Sequence, residues 1–345
     1  MLKTQDLYLY EESTSPTFSS VISLNGSFLK DIDLTVEFKK GIYFHAFEIS
    51  FPYSKKVFLV EKENEKLAWT KNIIKSIGMA SITEFYEFLE PIGSGRFGIV
   101  REAIHKTTNK KVAIKVLKKI KMKQIDYESI RNENEILRLC QHPNIIKVYD
   151  LFENSEYFFI VMEKAEGGDL FSYLENLSFK INEERAKIII KSISNAIQYL
   201  HNHGIIHRDV KAENIMIYST KDLSSVKIID FGLAKMIGEN QKSEEPFGTV
   251  GYVSPEILLR IPYGKCVDIW CLGILSFLLL FGFLPFEGIS EEQTALNTVQ
   301  NKIEFSNKKF DLVSDDAKDF ILKLLEKDCN KRITINEVLK HKFLS

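Results

Sequence analysis

Cysteine is scarce in this chain, and charge of either sign is not in surplus. Four cysteines (Cys140, Cys266, Cys271 and Cys329) are scattered without C-x-x-C spacing. A disulfide framework or zinc site is therefore not expected, and reduced thiols in a cytoplasmic chain are the simpler reading. Lysine and arginine number 46 against 47 aspartates and glutamates, a formal net charge of -1. No global field exists for nucleic acid or anionic lipid. The chain opens without a basic-then-apolar signal, and it has no D-x-[DN]-x-[DN]-G calcium loop, internal repeat or low-complexity tract. Residues 269–284 are almost wholly apolar. That run falls short of the ~20 residues needed to cross a bilayer, and Gly273, Ser276 and Gly282 interrupt it, so it reads as a buried helix. With 345 residues the chain has room for two or three compact domains.

Residues 1–78 read as strands followed by one helix. Leu7-Tyr8-Leu9-Tyr10 is a first strand. Ile32, Leu34, Val36 and Phe38 alternate with Asp31, Asp33, Thr35 and Glu37, the pattern of a half-buried strand. Asn25-Gly26 and Lys40-Gly41 are turn signals on either side. Residues 42–51 and 57–60 are further strands. Asn64 is placed to cap a helix carrying Trp69, Ile73 and Ile77, and Gly78 to stop it. Strands closed by a helix with a central tryptophan resemble a pleckstrin-homology domain, here a partial one. The strand pair whose loop holds the basic residues that grip phosphoinositides is missing, because the chain starts at what resembles the third strand. Those missing residues count against lipid binding and favour a protein-interaction or packing module, with membrane recruitment as the competing role. Residues 79–85 are a short linker.

The next stretch carries chemistry. Gly93-Ser94-Gly95-Arg96-Phe97-Gly98 follows a strand at 88–92 and precedes two more, at 100–103 and 111–117. A dinucleotide fold would place a helix after such glycines. Here they form a hairpin followed by a strand holding Val112-Ala113-Ile114-Lys115. Glycines let backbone amides approach a triphosphate without a Cβ clash, with Phe97 covering it from the tip. Lys115 lies among apolar residues and needs a partner. The helix at 124–140 offers Glu133 and Glu135. A strand at 158–162 runs into Glu163-Lys164-Ala165-Glu166-Gly167-Gly168. Asn182 caps a helix whose buried face is Ile189, Ile193, Ile197 and Leu200, ended by Gly204. Then come His207-Arg208-Asp209-Val210-Lys211-Ala212-Glu213-Asn214 and Asp230-Phe231-Gly232. A carboxylate to orient a hydroxyl, a lysine to neutralise a moving phosphoryl group, and an amide and a carboxylate to hold magnesium are what phosphoryl transfer requires.

In this order, residues 86–344 resemble a eukaryotic-type serine/threonine protein kinase of the calcium/calmodulin-dependent group, which includes protein kinase D and the calcium-dependent kinases. The resemblance implies an α+β, bilobal protein kinase fold: a small, mostly β N-lobe at 86–162, a hinge at 163–168 and a large, mostly α C-lobe at 169–344. The partial pleckstrin-homology-like β module with its C-terminal helix precedes it. It implies ATP and Mg2+ as cofactors, protein substrates with serine or threonine, and no nucleic-acid partner. Asp209 would be the catalytic base, Lys211 would stabilise the phosphoryl group, and Asn214 and Asp230 would hold magnesium. Lys115 would contact the α- and β-phosphates; alignment on Ile136-Leu137 and His142-Pro143 favours Glu133 over Glu135 as its partner. The nucleotide site would be completed by Ile92, Gly93, Ser94, Gly95, Arg96, Phe97, Gly98, Val100, Ala113 and Met216, by Met162 as gatekeeper and by the backbone of Glu163 and Ala165. Asp169 would meet the ribose and a basic substrate residue.

Ala212 replaces the family's usual proline, a structural position. Lys211 followed by Glu213 is the serine/threonine pattern. The same resemblance makes Asp268 a buried anchor of the catalytic loop and pairs Arg332 with Glu256. Asp169 and Glu213, with Leu233 after the Asp-Phe-Gly, imply a serine substrate with arginine three residues upstream. Many relatives phosphorylate a residue three before Gly248; here Glu245 stands there, beside Glu244, and could pair with Arg208. Ser243 and Thr249 are the competing regulatory hydroxyls. No inhibitory tail is expected after Ser345. A cytoplasmic signalling kinase follows, against two other readings: a pseudokinase scaffold, and a lipid-targeted adaptor working through the front module.

Overall fold

The computed structural model describes residues 2–3, 6–9, 19–24, 28–39, 42–51, 54–76, 82–95, 98–119, 130, 133–134, 136–154, 156–238, 241–305 and 310–345. The chain divides into two compact units, Met1–Gln124 with Val148–Glu163, and Ile125–Lys147 with Lys164–Ser345.

In the first unit, β1 (Leu2–Lys3), β2 (Asp6–Leu9) and β3 (Ser20–Ser23) form one antiparallel sheet. The strands β4 (Phe28–Lys39), β5 (Ile42–Phe51) and β6 (Ser54–Val60) form a second. Helix α1 (Glu63–Ser76) follows. Alternation along β5 puts Phe47 opposite Phe58 of β6, and their rings stack at 5.4 Å. Leu7, Leu24, Phe47, Ile49 and Ile73 share one core, with Ile22, Val60 and Trp69 packed against it. Strand residues at period two and helix residues at i, i+4 thus meet in the same interior. Two expectations are corrected. A short β1 precedes the strand read as first. Helix α1 begins at Glu63, so Asn64 lies inside it and does not cap it. Tyr10, Ile77, Gly78 and both turn dipeptides lie outside the described residues.

A short helix, α2 (Ile82–Phe85), leads into a five-stranded antiparallel sheet. Its strands are β7 (Tyr86–Gly95), β8 (Gly98–His105), β9 (Lys111–Lys118), β10 (Val148–Glu153) and β11 (Tyr157–Glu163), in the order β10-β11-β9-β8-β7. Val100, Lys115 and Ile160 stand in register across it, as do Glu102, Ala113 and Met162. These residues are two apart along each strand, so all six share one face. The other face carries Ala103, Val112, Ile114 and Val161, sealed by Ile82, Tyr86 and Phe152.

The second unit is mostly helical. It contains α3 (Leu170–Asn176), α4 (Glu183–Asn202), α5 (Pro255–Leu258), α6 (Cys266–Phe281), α7 (Glu291–Gln300), α8 (Asp315–Leu324) and α9 (Ile335–Val338). Asn182 caps α4 as expected, accepting the Arg185 amide at 2.9 Å. Ile189, Ile193, Ile197 and Leu200 are buried. The apolar run becomes α6, the buried spine of this unit. Gly273 lets it approach α8: a Cβ there would sit 2.9 Å from the Leu324 Cβ. No helix among the described residues is long and apolar enough to cross a membrane.

The cysteine expectation is overturned. Cys266 and Cys329, 63 residues apart, are joined by a disulfide with their Cα atoms 5.9 Å apart, while Cys140 and Cys271 stay free and buried. Local spacing could not show this, because the fold brings the two positions together.

Candidate active site

In the second unit a short hairpin sets up the chemistry. Strands β12 (Ile215–Ser219) and β13 (Asp222–Ile228) pair with Ile215 opposite Ile228. The Ile229 amide then donates to the Asn214 carbonyl at 3.0 Å, so Asp230 and Asn214 stand at adjoining strand ends. A 3-10 turn over Ala212–Asn214 bends the Asn214 side chain back. Its Nδ2 donates to the Asp209 carbonyl at 2.9 Å and to Oδ2 at 2.8 Å. Lys211 Nζ lies 2.8 Å from the same Oδ2. Thr249 Oγ1 donates to Asp209 Oδ1 at 2.6 Å and accepts from Lys211 Nζ at 2.6 Å. Both carboxylate oxygens of the buried Asp209 are thereby oriented. Ala212 is fully buried, as a structural position should be.

Asp268 of α6 holds this loop from below. It accepts the backbone amides of His207 at 2.9 Å and Arg208 at 2.8 Å, and faces His201 Nε2 at 2.8 Å. Burial would raise its carboxyl, but the His201 hydrogen bond and nearby charges outweigh that and hold it below the ordinary aspartate value. The anchoring stores strain: Arg208 has φ +68°. His207 is buried against Phe231 with ring centroids 4.8 Å apart, and burial pushes its pKa down.

Asn214 and Asp230 suit magnesium. Both offer hard oxygen ligands. Asn214 spends its NH2 on Asp209, which leaves its amide oxygen for a cation. Asp230 commits Oδ1 to the Gly232 amide at 3.0 Å. Two protein ligands are what magnesium needs when phosphates supply the rest.

The other predicted residues are placed as follows. Val100, Ala113, Lys115 and Met162 lie on one face of the five-stranded sheet. Gly95 pairs with Gly98; Arg96 and Phe97 lie outside the described residues. Ile92 and Ser94 are exposed. At Gly98 a Cβ would fall 1.7 Å from the Val116 carbonyl oxygen, whereas Gly93 has only the Val100 Cβ at 3.8 Å. Glycine at 98 is therefore required first by the neighbouring strand. Glu163 ends β11, and Ala165 is half-buried in the second unit. Asp169 forms a bridge with Met216. Its carboxylate caps α3, accepting the Ser172 amide and hydroxyl, each at 2.8 Å. Glu133 is buried, with Oε2 3.9 Å from where a Gly232 Cβ would sit; Glu135 lies outside the described residues.

The segment after Asp230 carries a charged clamp. Arg208 Nη1 donates to Glu245 Oε2 at 2.5 Å, and Lys235 Nζ to Oε1 at 3.0 Å. Tyr263 donates its hydroxyl to the Glu245 carbonyl at 2.7 Å. Burial alone would raise the Glu245 carboxyl, but Arg208 and Lys235 hold it below the ordinary glutamate value. Past the segment, Arg332 grips Glu256 with two bonds of 2.7 and 2.9 Å.

Reading the sequence missed Lys235 and Tyr263 in the clamp, His201 behind Asp268, and the bridging role of Thr249. No local pattern marks the first three, whereas the position of Thr249 after Gly248 was a usable signal.

Comparison with known proteins identifies the family. The model of the protein kinase domain family matches residues 86–344. Myosin light chain kinase A of Dictyostelium discoideum is 38% identical over 268 residues, covering 77% of this chain and 90% of that protein. Calcium/calmodulin-dependent protein kinase type 1 of Macrobrachium nipponense is 35% identical over 269 residues, covering 77% of each. The chain belongs to the protein kinase family and is a protein serine/threonine kinase, of the calcium/calmodulin-kinase-like kind, that uses ATP with Mg2+.

Proposed function

We propose that this kinase signals by phosphorylating serine in proteins with a basic residue upstream, with Asp209 as base and hydroxyl positioner. The observation that carries the reading is Asp209 itself, whose oxygens are oriented by Thr249 on one side and by Asn214 and Lys211 on the other. Once a hydroxyl is positioned, Asp209 can accept its proton as the oxygen attacks phosphorus, and Lys211 can balance charge on the phosphoryl oxygens. Asn214 and Asp230 would hold magnesium, which neutralises the phosphates. Lys115 and Glu133 act as the family motif implies. By the family motif, the nucleotide would be met by Ile92, Gly93, Ser94, Gly95, Arg96, Phe97, Gly98, Val100, Ala113, Met162, Glu163, Ala165, Asp169 and Met216. Glu213 is exposed and offers a carboxylate to a substrate arginine; Asp169, capping α3, is the less available of the two.

We further read residues 1–78 as a partial pleckstrin-homology-like module, 79–85 as its linker and 86–344 as the kinase domain. Two antiparallel sheets and a helix around one core support the first assignment. The module's partner is a protein surface, with membrane recruitment as the competing use.

Peptide phosphorylation by purified variants tests the catalytic reading. Asp209→Asn and Lys115→Met should each cut kcat/KM by about 1,000-fold or more, with melting temperature unchanged. Near wild-type turnover in either would remove the assignment. A magnesium-dependent rise in melting temperature with ATP, but no turnover in the wild type, would favour a scaffold. A peptide array with proline-directed or acidic preference would refute the basic-substrate reading.

A further inference from the structure

Cys266 opens α6, and Cys329 lies in the loop before α9 that also carries Arg332. Between them sits the anchor of α5. Arg332 donates Nη1 to Glu256 Oε1 and Nη2 to Oε2, and Nη1 also reaches the Cys266 carbonyl at 2.8 Å. Its Nε is held by the Glu326 carbonyl at 2.8 Å. The Cys266 Sγ lies 3.4 Å from Glu256 Oε1. Two sulfurs and a buried ion pair therefore share one small volume, at the helix that closes the segment running from Asp230.

We propose that Cys266 and Cys329 are a reversible thiol–disulfide pair, whose oxidation by a small-molecule disulfide such as oxidised glutathione ties the start of α6 to the Arg332 loop around the Glu256–Arg332 anchor.

Three observations carry this. First, both members of the pair are partly exposed, whereas Cys140 and Cys271 are buried. Burial pushes the Cys140 thiol up to about 11 and Cys271 above its ordinary value, which suppresses their thiolates. Exchange is thus directed to one pair of the four. Second, redox state reaches the anchor. When reduced, the Cys266 thiol can donate to Glu256 Oε1, the oxygen that Arg332 Nη1 already uses; when oxidised, it has no proton to give. Third, the ligand atoms of Glu256, Cys266 and Cys329 lie within 4.8 Å of one another. They do not make a cation site, because both carboxylate oxygens are taken by Arg332, which adds a positive charge of its own.

The chemistry balances. One protein thiolate attacks a sulfur of oxidised glutathione; that S–S bond breaks and a glutathione thiolate leaves with a proton. The second protein thiolate attacks the protein sulfur of the mixed disulfide and displaces the other glutathione. Two protein thiols are oxidised, and one glutathione disulfide is reduced to two thiols.

The full chain would be equilibrated at defined ratios of reduced to oxidised glutathione, acid-quenched, unfolded and alkylated. Reduced protein should show four alkylated cysteines. Oxidised protein should show two, Cys140 and Cys271, with a linked peptide pair containing Cys266 and Cys329. Closing so long a loop should raise the melting temperature by about 5–10 °C. That shift should vanish in Cys266→Ser and in Cys329→Ser. Absence of the linked peptide in oxidised protein, persistence of the shift in Cys329→Ser, or a bond that reduced glutathione cannot open in the folded protein would each overturn the proposal. None of these readouts depends on phosphotransfer, so failure here and failure of the catalytic assignment are separable.

Discussion

Reversing the charge at Glu245 tests whether this kinase carries its own activating anion. The Arg208 guanidinium is 5% exposed, and its partner carboxylate is 44% exposed. The other acceptors of the Arg208 side chain, the Leu233 carbonyl and the Ser243 and Tyr263 hydroxyls, are neutral. A hydrogen bond to a charged group contributes about 1.5–3 kcal/mol when desolvated. Half-exposure and counterions reduce this to about 1 kcal/mol. Glu245→Gln keeps the shape and loses the charge, so the ordered segment should lose about fivefold in population. Glu245→Lys sets a third cation beside Arg208 and Lys235 and should cost about 2 kcal/mol, roughly 30-fold. Glu244→Lys is the control, since Glu244 is exposed and outside the clamp. The assay is kcat/KM on a peptide with phosphatase-treated protein, at low and high salt. Wild type should stay active, Glu245→Lys should fall steeply, and salt should narrow the gap. A silent phosphatase-treated wild type, or a Glu245→Lys enzyme within twofold of wild type, would refute the reasoning. The pH sign follows from the lowered carboxyl. Its stabilisation is fully present above the ordinary glutamate value and is lost only as pH falls through the lower folded value. The clamp should therefore be pH-independent around neutrality and fail in acid.

Arg332→Met should be strongly destabilising. It strands the buried Glu256 carboxylate and the Glu326 and Cys266 carbonyls, at a cost of about 3–5 kcal/mol; urea unfolding checks it, and a loss under 1 kcal/mol would contradict the buried-pair account. Thr249→Val removes the hydroxyl that orients Asp209 Oδ1 and should lower kcat by about 10–100-fold with little change in melting temperature; unchanged kcat would show that Thr249 is incidental to positioning.

The sequence alone determined most of the elements and the family motifs. The strands at β4, β5 and β6, the i, i+4 stripe of α4 and its Asn182 cap are local consequences of backbone period and hydrogen-bond need. The motifs around Asp209 and Asp230 were visible in the sequence because their side-chain types lie within a short stretch of it. Helix α6 could be told from a membrane span by its length and its interruptions. Tertiary structure decided whatever depends on residues far apart in sequence. Thr249 reaches Asp209 across 40 positions. Lys235 and Tyr263 join the clamp on Glu245 from a strand end and a loop. Gly98 answers to a carbonyl on the neighbouring strand as well as to any nucleotide. Cys266 and Cys329 meet only because α6 and the Arg332 loop pack together. Such contacts follow from how apolar faces bury against one another, and local patterning does not encode them.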